Sequence, residues 1–214
     1  LKIKHSGWVD TKQFITLCHQ KLAALQSFSV EKFEHAKAVI SADGIQYKDI
    51  QAKAIIYCEG IQVSNNDSID TVELKPAKGE ILVIKTEMEI AYIAQQGVFM
   101  LPLGNNLYKV GSNFTWDPLD NLPTEAGRKE ILSKLELFFK GDYEVVEHYA
   151  GIRPSSTDRR PILGPVKPHG SCYIFNGMGS KGVALSSYYS GMLTQYILNG
   201  TAIDREVFSD RKLK

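Results

Sequence analysis

The residues best suited to chemistry lie in two stretches near the C-terminus. One runs Tyr149-Ala-Gly-Ile-Arg-Pro-Ser-Ser-Thr-Asp-Arg-Arg-Pro-Ile-Leu-Gly-Pro165, the other Cys172-Tyr-Ile-Phe-Asn-Gly-Met-Gly-Ser-Lys-Gly-Val183. Arg153, on a rigid Ile-Arg-Pro corner, can grip a carboxylate through two parallel hydrogen bonds. The second stretch reads as a short apolar strand and a glycine turn opening a helix. Such a turn offers unpaired N–H groups and the positive end of the helix dipole to an anion. Together they suit an anionic cofactor edge beside a carboxylate substrate.

Gly177-Met-Gly-Ser-Lys-Gly182 also spells the dinucleotide fingerprint G-x-G-x-x-G, after a strand and before a helix. That fingerprint belongs in a βαβ unit, with an acidic residue roughly 20 positions on and further sheet to follow. Asp204 stands at about that distance, but no convincing second strand surrounds it, so the turn calls for another explanation. No Ser-His-Asp, zinc or Walker pattern stands out, and no metal site is expected. His5, His19, His35, His148 and His169 are scattered. His148 is read as a surface or core residue, and Arg159 and Arg160 as solvated.

Of the 214 residues 43% are hydrophobic and 23% charged, with a net charge of +1. This supports a globular core and gives no push toward nucleic acid or an anionic membrane. No apolar run is long enough to span a bilayer. Cys18, Cys58 and Cys172 are too few and too scattered for a disulfide framework. They read as reduced packing residues, which favours a cytoplasmic setting. Asn66, Asn113 and Asn199 open glycosylation-like triplets, a motif short enough to arise by chance. The chain opens on Leu1 without a signal-like stretch and reads as a fragment.

Several elements must position the two stretches. Asp10 caps a helix carrying Phe14, Leu17, Cys18, Leu22 and Leu25 at helical spacing. Residues 29–33 read as a strand. Residues 37–41 and 45–50 flank Ala-Asp-Gly44 as a hairpin. Residues 54–58 form a short buried strand ending at Glu59-Gly60. Glu80–Lys85 alternates as a strand. Phe99–Leu103 and Leu107–Ser112 form a hairpin across Gly104-Asn-Asn106. Thr124 caps a helix with one face of Ile131, Leu132, Leu135, Phe138 and Phe139. Residues 144–149 and 171–176 are further strands. Gly182–Leu198 is the last helix, closed by Asn199-Gly200.

The C-terminal block resembles the signature of the D-amino-acid oxidase (DAO) family of FAD-dependent oxidoreductases, the group that includes glycine oxidase and sarcosine oxidase. Gly151, Arg153, Pro154, Asp158, Pro161, Ile162 and Gly164 carry the likeness. Residues 52–60 resemble the strand under the adenine half of FAD, with Cys58-Glu59 replacing two small residues. Lys75-Pro-Ala-Lys-Gly79 resembles the segment that leaves the cofactor lobe.

The resemblance implies an α+β fold. Residues 1–74 and 149–214 would be a partial, Rossmann-like FAD lobe, and residues 75–148 an antiparallel-sheet substrate lobe. No strand–GxGxxG–helix unit occurs N-terminal to Lys85, so residues 1–214 alone are expected to hold FAD poorly. The implied substrate is a small amino acid or N-substituted amine bearing a carboxylate, oxidised at a C–N bond by hydride transfer to the flavin, with no side-chain base required. Arg153 would hold the carboxylate. Phe99 and Phe114 are either pocket residues or core phenylalanines. Gly60, Gly151, Ile152, Gly177, Met178, Gly179, Ser180, Lys181, Gly182 and Val183 would face FAD, with Lys181 either supporting negative charge on the flavin or pointing to solvent. The Gly-Ser-Lys-Gly form is similar to the oxidase half of the bifunctional tRNA-modifying enzymes, so a tRNA-modifying oxidase domain acting on a carboxymethylaminomethyl nucleoside is one alternative. A non-catalytic remnant or binding module is another. Independent RNA or membrane binding is not expected.

Overall fold

The computed structural model describes residues 3–4, 7–41, 43–67, 69, 72–167 and 170–211. His5, His169 and Ala42 of the predicted turn lie outside them. Three helices are α1 (Thr11–Ala24), α2 (Glu125–Leu135) and α3 (Gly182–Asn199). The strands are β1 (Ala38–Ser41), β2 (Gly44–Tyr47), β3 (Ile50–Ala52), β4 (Ile55–Tyr57), β5 (Ala77–Lys85), β6 (Ala94–Gln96), β7 (Val98–Gly104), β8 (Leu107–Gly111), β9 (Glu144–Arg153), β10 (Ile162–Pro165) and β11 (Cys172–Asn176). The fold is α+β, as expected.

The largest sheet has the order β6-β7-β8-β5-β9 and is antiparallel throughout. Its β7–β8 turn forms where predicted. Asn105 and Asn106 take φ of 52° and 61°, left-handed values that asparagine tolerates and that match the twist of a tight hairpin. One face packs Leu82, Ile84, Val98, Met100, Tyr108 and Val110 against Ile131, Leu135 and Phe139 from α2 and the turn beyond it. Thr124 caps α2 as expected, its Oγ1 accepting from the Gly127 N–H at 3.0 Å. A second sheet, β10-β11-β4, joins β4 parallel to β11 and holds the Cys172–Asn176 strand that feeds the glycine turn. A third, β1-β2-β3, is a small antiparallel meander.

Several expectations need correction. Residues 29–33 form no strand: Val30 is exposed, and Phe33 instead lays its ring against His35 and Tyr47. Strand propensity without a partner ladder is not enough. The second hairpin arm breaks at Lys48, whose φ of 54° turns the chain back into β3. Cys58 is exposed just past β4 and so is no packing residue, whereas Cys172 is buried. Helix α1 is capped by Asp10 as expected but buries none of its residues. Asn66 and Asn113 are buried, so neither could be glycosylated in the folded chain. Strand β9 runs through Gly151-Ile152-Arg153, pairing with β5 across the 148/149 position where the sequence suggests a lobe boundary. Among the described residues no helix is long and apolar enough to cross a membrane.

Candidate functional site

Strand β9 ends at Arg153, opposite Ala77, and sets Gly151 opposite Gly79. Cross-strand partners share a sheet face, so the Arg153 side chain lies on the Gly79 face, away from α2. The absence of a side chain at Gly79 is what admits it: a Cβ there would overlap Cζ, Nη1 and Nη2 of the guanidinium. Phe114 covers the guanidinium, with its ring centroid 4.3 Å from Cζ, a cation–π distance. Nη2 donates to Ser112 Oγ at 2.8 Å. Nη1 is buried and, among the described residues, finds no hydrogen-bond partner. Burial pushes the Arg153 pKa down, but a guanidinium stays protonated at any ordinary pH.

A bulge aims Ser112 and Phe114 at Arg153. Gly111 pairs with Ile81, and Thr115 bridges to Lys78, so residues 112–114 face only residues 79 and 80 of β5. The extra residue re-aims the side chains, as bulges do. The segment is pinned on both sides. Asn113 Oδ1 accepts from the Glu80 N–H at 2.7 Å, and Lys78 and Thr115 exchange backbone hydrogen bonds of 2.9 and 3.1 Å. Phe99 pairs with Gly111 and stands on the Arg153 face, but three strands over, about 14 Å at normal strand spacing. The structure thus brings Phe114, not Phe99, to Arg153.

The glycine turn docks on the arginine corner. The Gly179 N–H donates to Pro154 O at 3.2 Å, and Ser155 bridges to Met178. Gly177 and Gly179 take φ of 74° and 54°, the left-handed values for which glycine is suited. Gly60 comes to the same place: its O accepts from Asn176 Nδ2 at 2.8 Å, while Asn176 Oδ1 accepts from the Gly177 N–H at 2.8 Å. Two turns far apart in sequence are therefore held by one buried asparagine. Ser180, Lys181 and Val183 are exposed at the start of α3, where Lys181 makes no side-chain cap. The Met178 side chain packs toward the Leu163–Leu193 core, and Ile152 stands opposite Lys78 on the α2 side of the sheet. Space remains beside this framework. A Cβ at Gly151 would meet nothing within 4 Å, and one at Gly182 only Met178 Cβ at 4.0 Å. A flat ring could approach the backbone at both positions.

Sequence reasoning missed Ser112, Gly79 and Asn176 as parts of this site. A glycine flanked by Lys78 and Glu80 at a strand start, and an asparagine closing an apolar strand before a glycine, were the available signals. His148 is neither solvated nor in the site: its Nε2 lies 2.8 Å from the buried Glu80 carboxylate on the α2 side. Arg159 and Arg160 lie on the surface, Arg160 with Glu206 3.4 Å away. Asp158 is no ligand either. It accepts from Arg211 Nε and Nη2 at 2.9 and 3.0 Å and ties the C-terminal segment to the loop after Arg153. Among the described residues no group of His, Cys, Asp and Glu is placed to hold a metal.

Comparison with known proteins identifies the family. The DAO family profile, described as FAD dependent oxidoreductase, matches residues 1–196. The chain is 25% identical over 176 residues to the tRNA 5-methylaminomethyl-2-thiouridine biosynthesis bifunctional protein MnmC of Legionella pneumophila, covering 78% of this chain and 25% of that protein. It is 24% identical over 187 residues to glycine oxidase of Pseudomonas putida, covering 81% and 48%. Glycine oxidase from Geobacillus kaustophilus shares its fold, with a TM-score of 0.66 at 19% identity over 83% of this chain and 52% of that one. Iminodiacetate oxidase from Chelativorans sp. BNC1 does so with a TM-score of 0.61 at 20% identity, over 76% and 48%. The chain thus spans a quarter to about a half of the length of these relatives. It belongs to the DAO family of FAD-dependent oxidoreductases.

Proposed function

We propose that the full-length protein oxidises a C–N bond of an amino acid or N-substituted amine that carries a carboxylate. The observation that carries this reading is the Arg153 guanidinium, clamped between Gly79 and Phe114 with Nη1 buried and lacking an acceptor. A buried donor without an acceptor costs about 1–3 kcal/mol, more for a charged group, and a substrate carboxylate removes that cost. When bound, FAD supplies the hydride acceptor. The backbone at Gly151 and at Gly182, the latter closing the turn that Gly60 backs, offers an open, side-chain-poor surface for the flavin, and the α3 N-terminus brings its positive dipole end. Within this chain Arg153 binds and orients the carboxylate, and Phe114 keeps water from the ion pair. Orientation and desolvation are the protein's share of such a reaction.

The similarity to MnmC favours one further reading, in which the carboxylate-bearing amine is part of a tRNA nucleoside. The test is anaerobic mixing of the flavin-loaded full-length protein with glycine, sarcosine, iminodiacetate or undermodified tRNA. Flavin bleaching by a small amine is the expected result, and Arg153→Leu should raise its KM by at least tenfold, since truncating one partner of a buried charge pair costs about 2–5 kcal/mol. Bleaching by tRNA alone would favour the second reading. Bleaching by none of them, or an unchanged KM in Arg153→Leu, would overturn the proposal.

A further inference from the structure

We propose that Ser112 is a carboxylate-binding residue, its hydroxyl forming with Arg153 Nη1 a mixed anion site. The inference rests on the reading of Arg153 as the carboxylate holder and specifies how it binds. Hydrogen-bond bookkeeping leads to it. Arg153 Nη2 donates one of its two hydrogens to Ser112 Oγ at 2.8 Å, which ties the hydroxyl to the guanidinium. A serine hydroxyl that accepts one bond keeps its own hydrogen to donate, and among the described residues no acceptor takes it. Nη1 is likewise without an acceptor. A charged donor at Nη1 and a neutral hydroxyl donor at Ser112 therefore sit on linked groups, and one carboxylate has two oxygens for them. The Nη2–H···Oγ bond also polarises the hydroxyl, making it a better donor to an anion.

The surroundings fix where these donors stand. The guanidinium cannot sink deeper, because the Gly79 backbone lies against it. The backbone that carries Ser112 is held in place, because Asn113 and Thr115 are bonded to β5 on its C-terminal side and Gly111 pairs with Ile81 on the other. Phe114 is 56% exposed, the most exposed of the three side chains of the clamp. It is the side that yields when an acceptor enters. Within the clamp Ser112 adds a hydroxyl donor beside the cation, which suits a carboxylate held edge-on beside the strand.

Isotopically labelled acetate, titrated by NMR into the full-length protein, tests this without relying on turnover. Ser112→Ala should weaken acetate binding about tenfold, the loss expected for one hydrogen bond to a charged group. Ser112→Thr, which keeps the hydroxyl, should retain wild-type affinity. Thermal melting checks that each variant folds, and Ser112→Val against Ser112→Thr repeats the comparison should alanine fail. Unchanged or tighter binding in Ser112→Ala would overturn the proposal, tighter binding meaning that serine merely competes with the ligand for Nη2. Wild-type acetate affinity in Arg153→Leu would instead overturn the reading of Arg153, so the two failures are distinguishable.

Discussion

The Gly79 backbone and the Arg153 guanidinium occupy space that no side chain at position 79 could share, since a Cβ there would overlap three guanidinium atoms. Gly79 is thus a positioning residue for Arg153. Gly79→Ala should leave the sheet able to form, because its φ is unremarkable, but should lift the guanidinium off β5 and away from Ser112. Displacement of about 1 Å can cost on the order of a hundredfold in kcat/KM. Kinetics with a carboxylated amine should show this loss mainly in KM, and unaltered kinetics would show that Arg153 does not need this seat.

Asn176 gives the second prediction. Its side chain satisfies the Gly60 carbonyl and the Gly177 N–H from a position only 4% exposed. Asn176→Leu strips both partners in a buried setting, each worth about 1–3 kcal/mol when left unsatisfied. Denaturant melts should register a loss of roughly 2–5 kcal/mol. Asn176→Asp keeps an acceptor for Gly177 but sets a buried carboxylate oxygen against the Gly60 carbonyl, so it should destabilise as well. An unchanged melt in both variants would mean that the asparagine does not hold the two turns together.

The parts of this site that were legible beforehand are those whose meaning is local. A proline after Arg153 and three glycines in six residues constrain the backbone wherever they occur, and both segments take the turn and corner their residues require. Thr124 and Asp10 cap helices for the same reason. Ser112 and Gly79 acquire their roles only from the pairing of β5 with both β8 and β9 and from one extra residue in the chain after β8. Asn176 acquires its role from a contact 116 residues away. Residues 29–33 fail in the opposite sense, being strand-like in composition with no ladder to join. Phe99 is a like case: it lies on the right sheet face, but strand order sets its distance from Arg153.

Asp158 predicts an acid-sensitive C-terminal segment. Its ion pair with Arg211, aided by the Arg160 N–H and the Ser156 hydroxyl against the opposing effect of burial, lowers its pKa from 3.8 to about 2. A depressed carboxyl contributes stability above its unfolded pKa and loses it as pH falls through the folded value. The contribution of about 2 kcal/mol should therefore be present at neutral pH and fade between about pH 4 and pH 2. Asp158→Asn should remove it at all pH values. Hydrogen exchange across residues 203–211, where Val207 bonds and packs against Leu163, is the direct readout. Equal protection in the variant at neutral pH would contradict the assignment.

Glu80 makes the last prediction, on the far side of the same strand. Its side chain is 1% exposed and accepts from the Thr124 N–H at 2.8 Å, the Thr124 hydroxyl at 2.7 Å and His148 Nε2 at 2.8 Å. Gly127 lies against the carboxylate, where a Cβ would overlap it, so the first turn of α2 closes directly over the charge. Burial works to raise the Glu80 pKa, but the two Thr124 hydrogen bonds and then His148 outweigh it, leaving the carboxyl below its ordinary 4.5. The positive end of α2 acts in the same direction. The resulting stability is complete above about pH 4.5 and is lost as pH falls through the lower folded value. Glu80→Gln keeps the shape but removes the charge and replaces one acceptor oxygen by an NH₂. Breaking a buried charged network this way costs about 3–5 kcal/mol, or roughly a 10 °C fall in Tm for a chain of this size. The gap between wild type and Glu80→Gln should be widest at neutral pH and should narrow as pH falls through the lowered folded value, as protonation gives the wild type the same loss. A gap that stays constant with pH would mean that the network depends on shape rather than on charge.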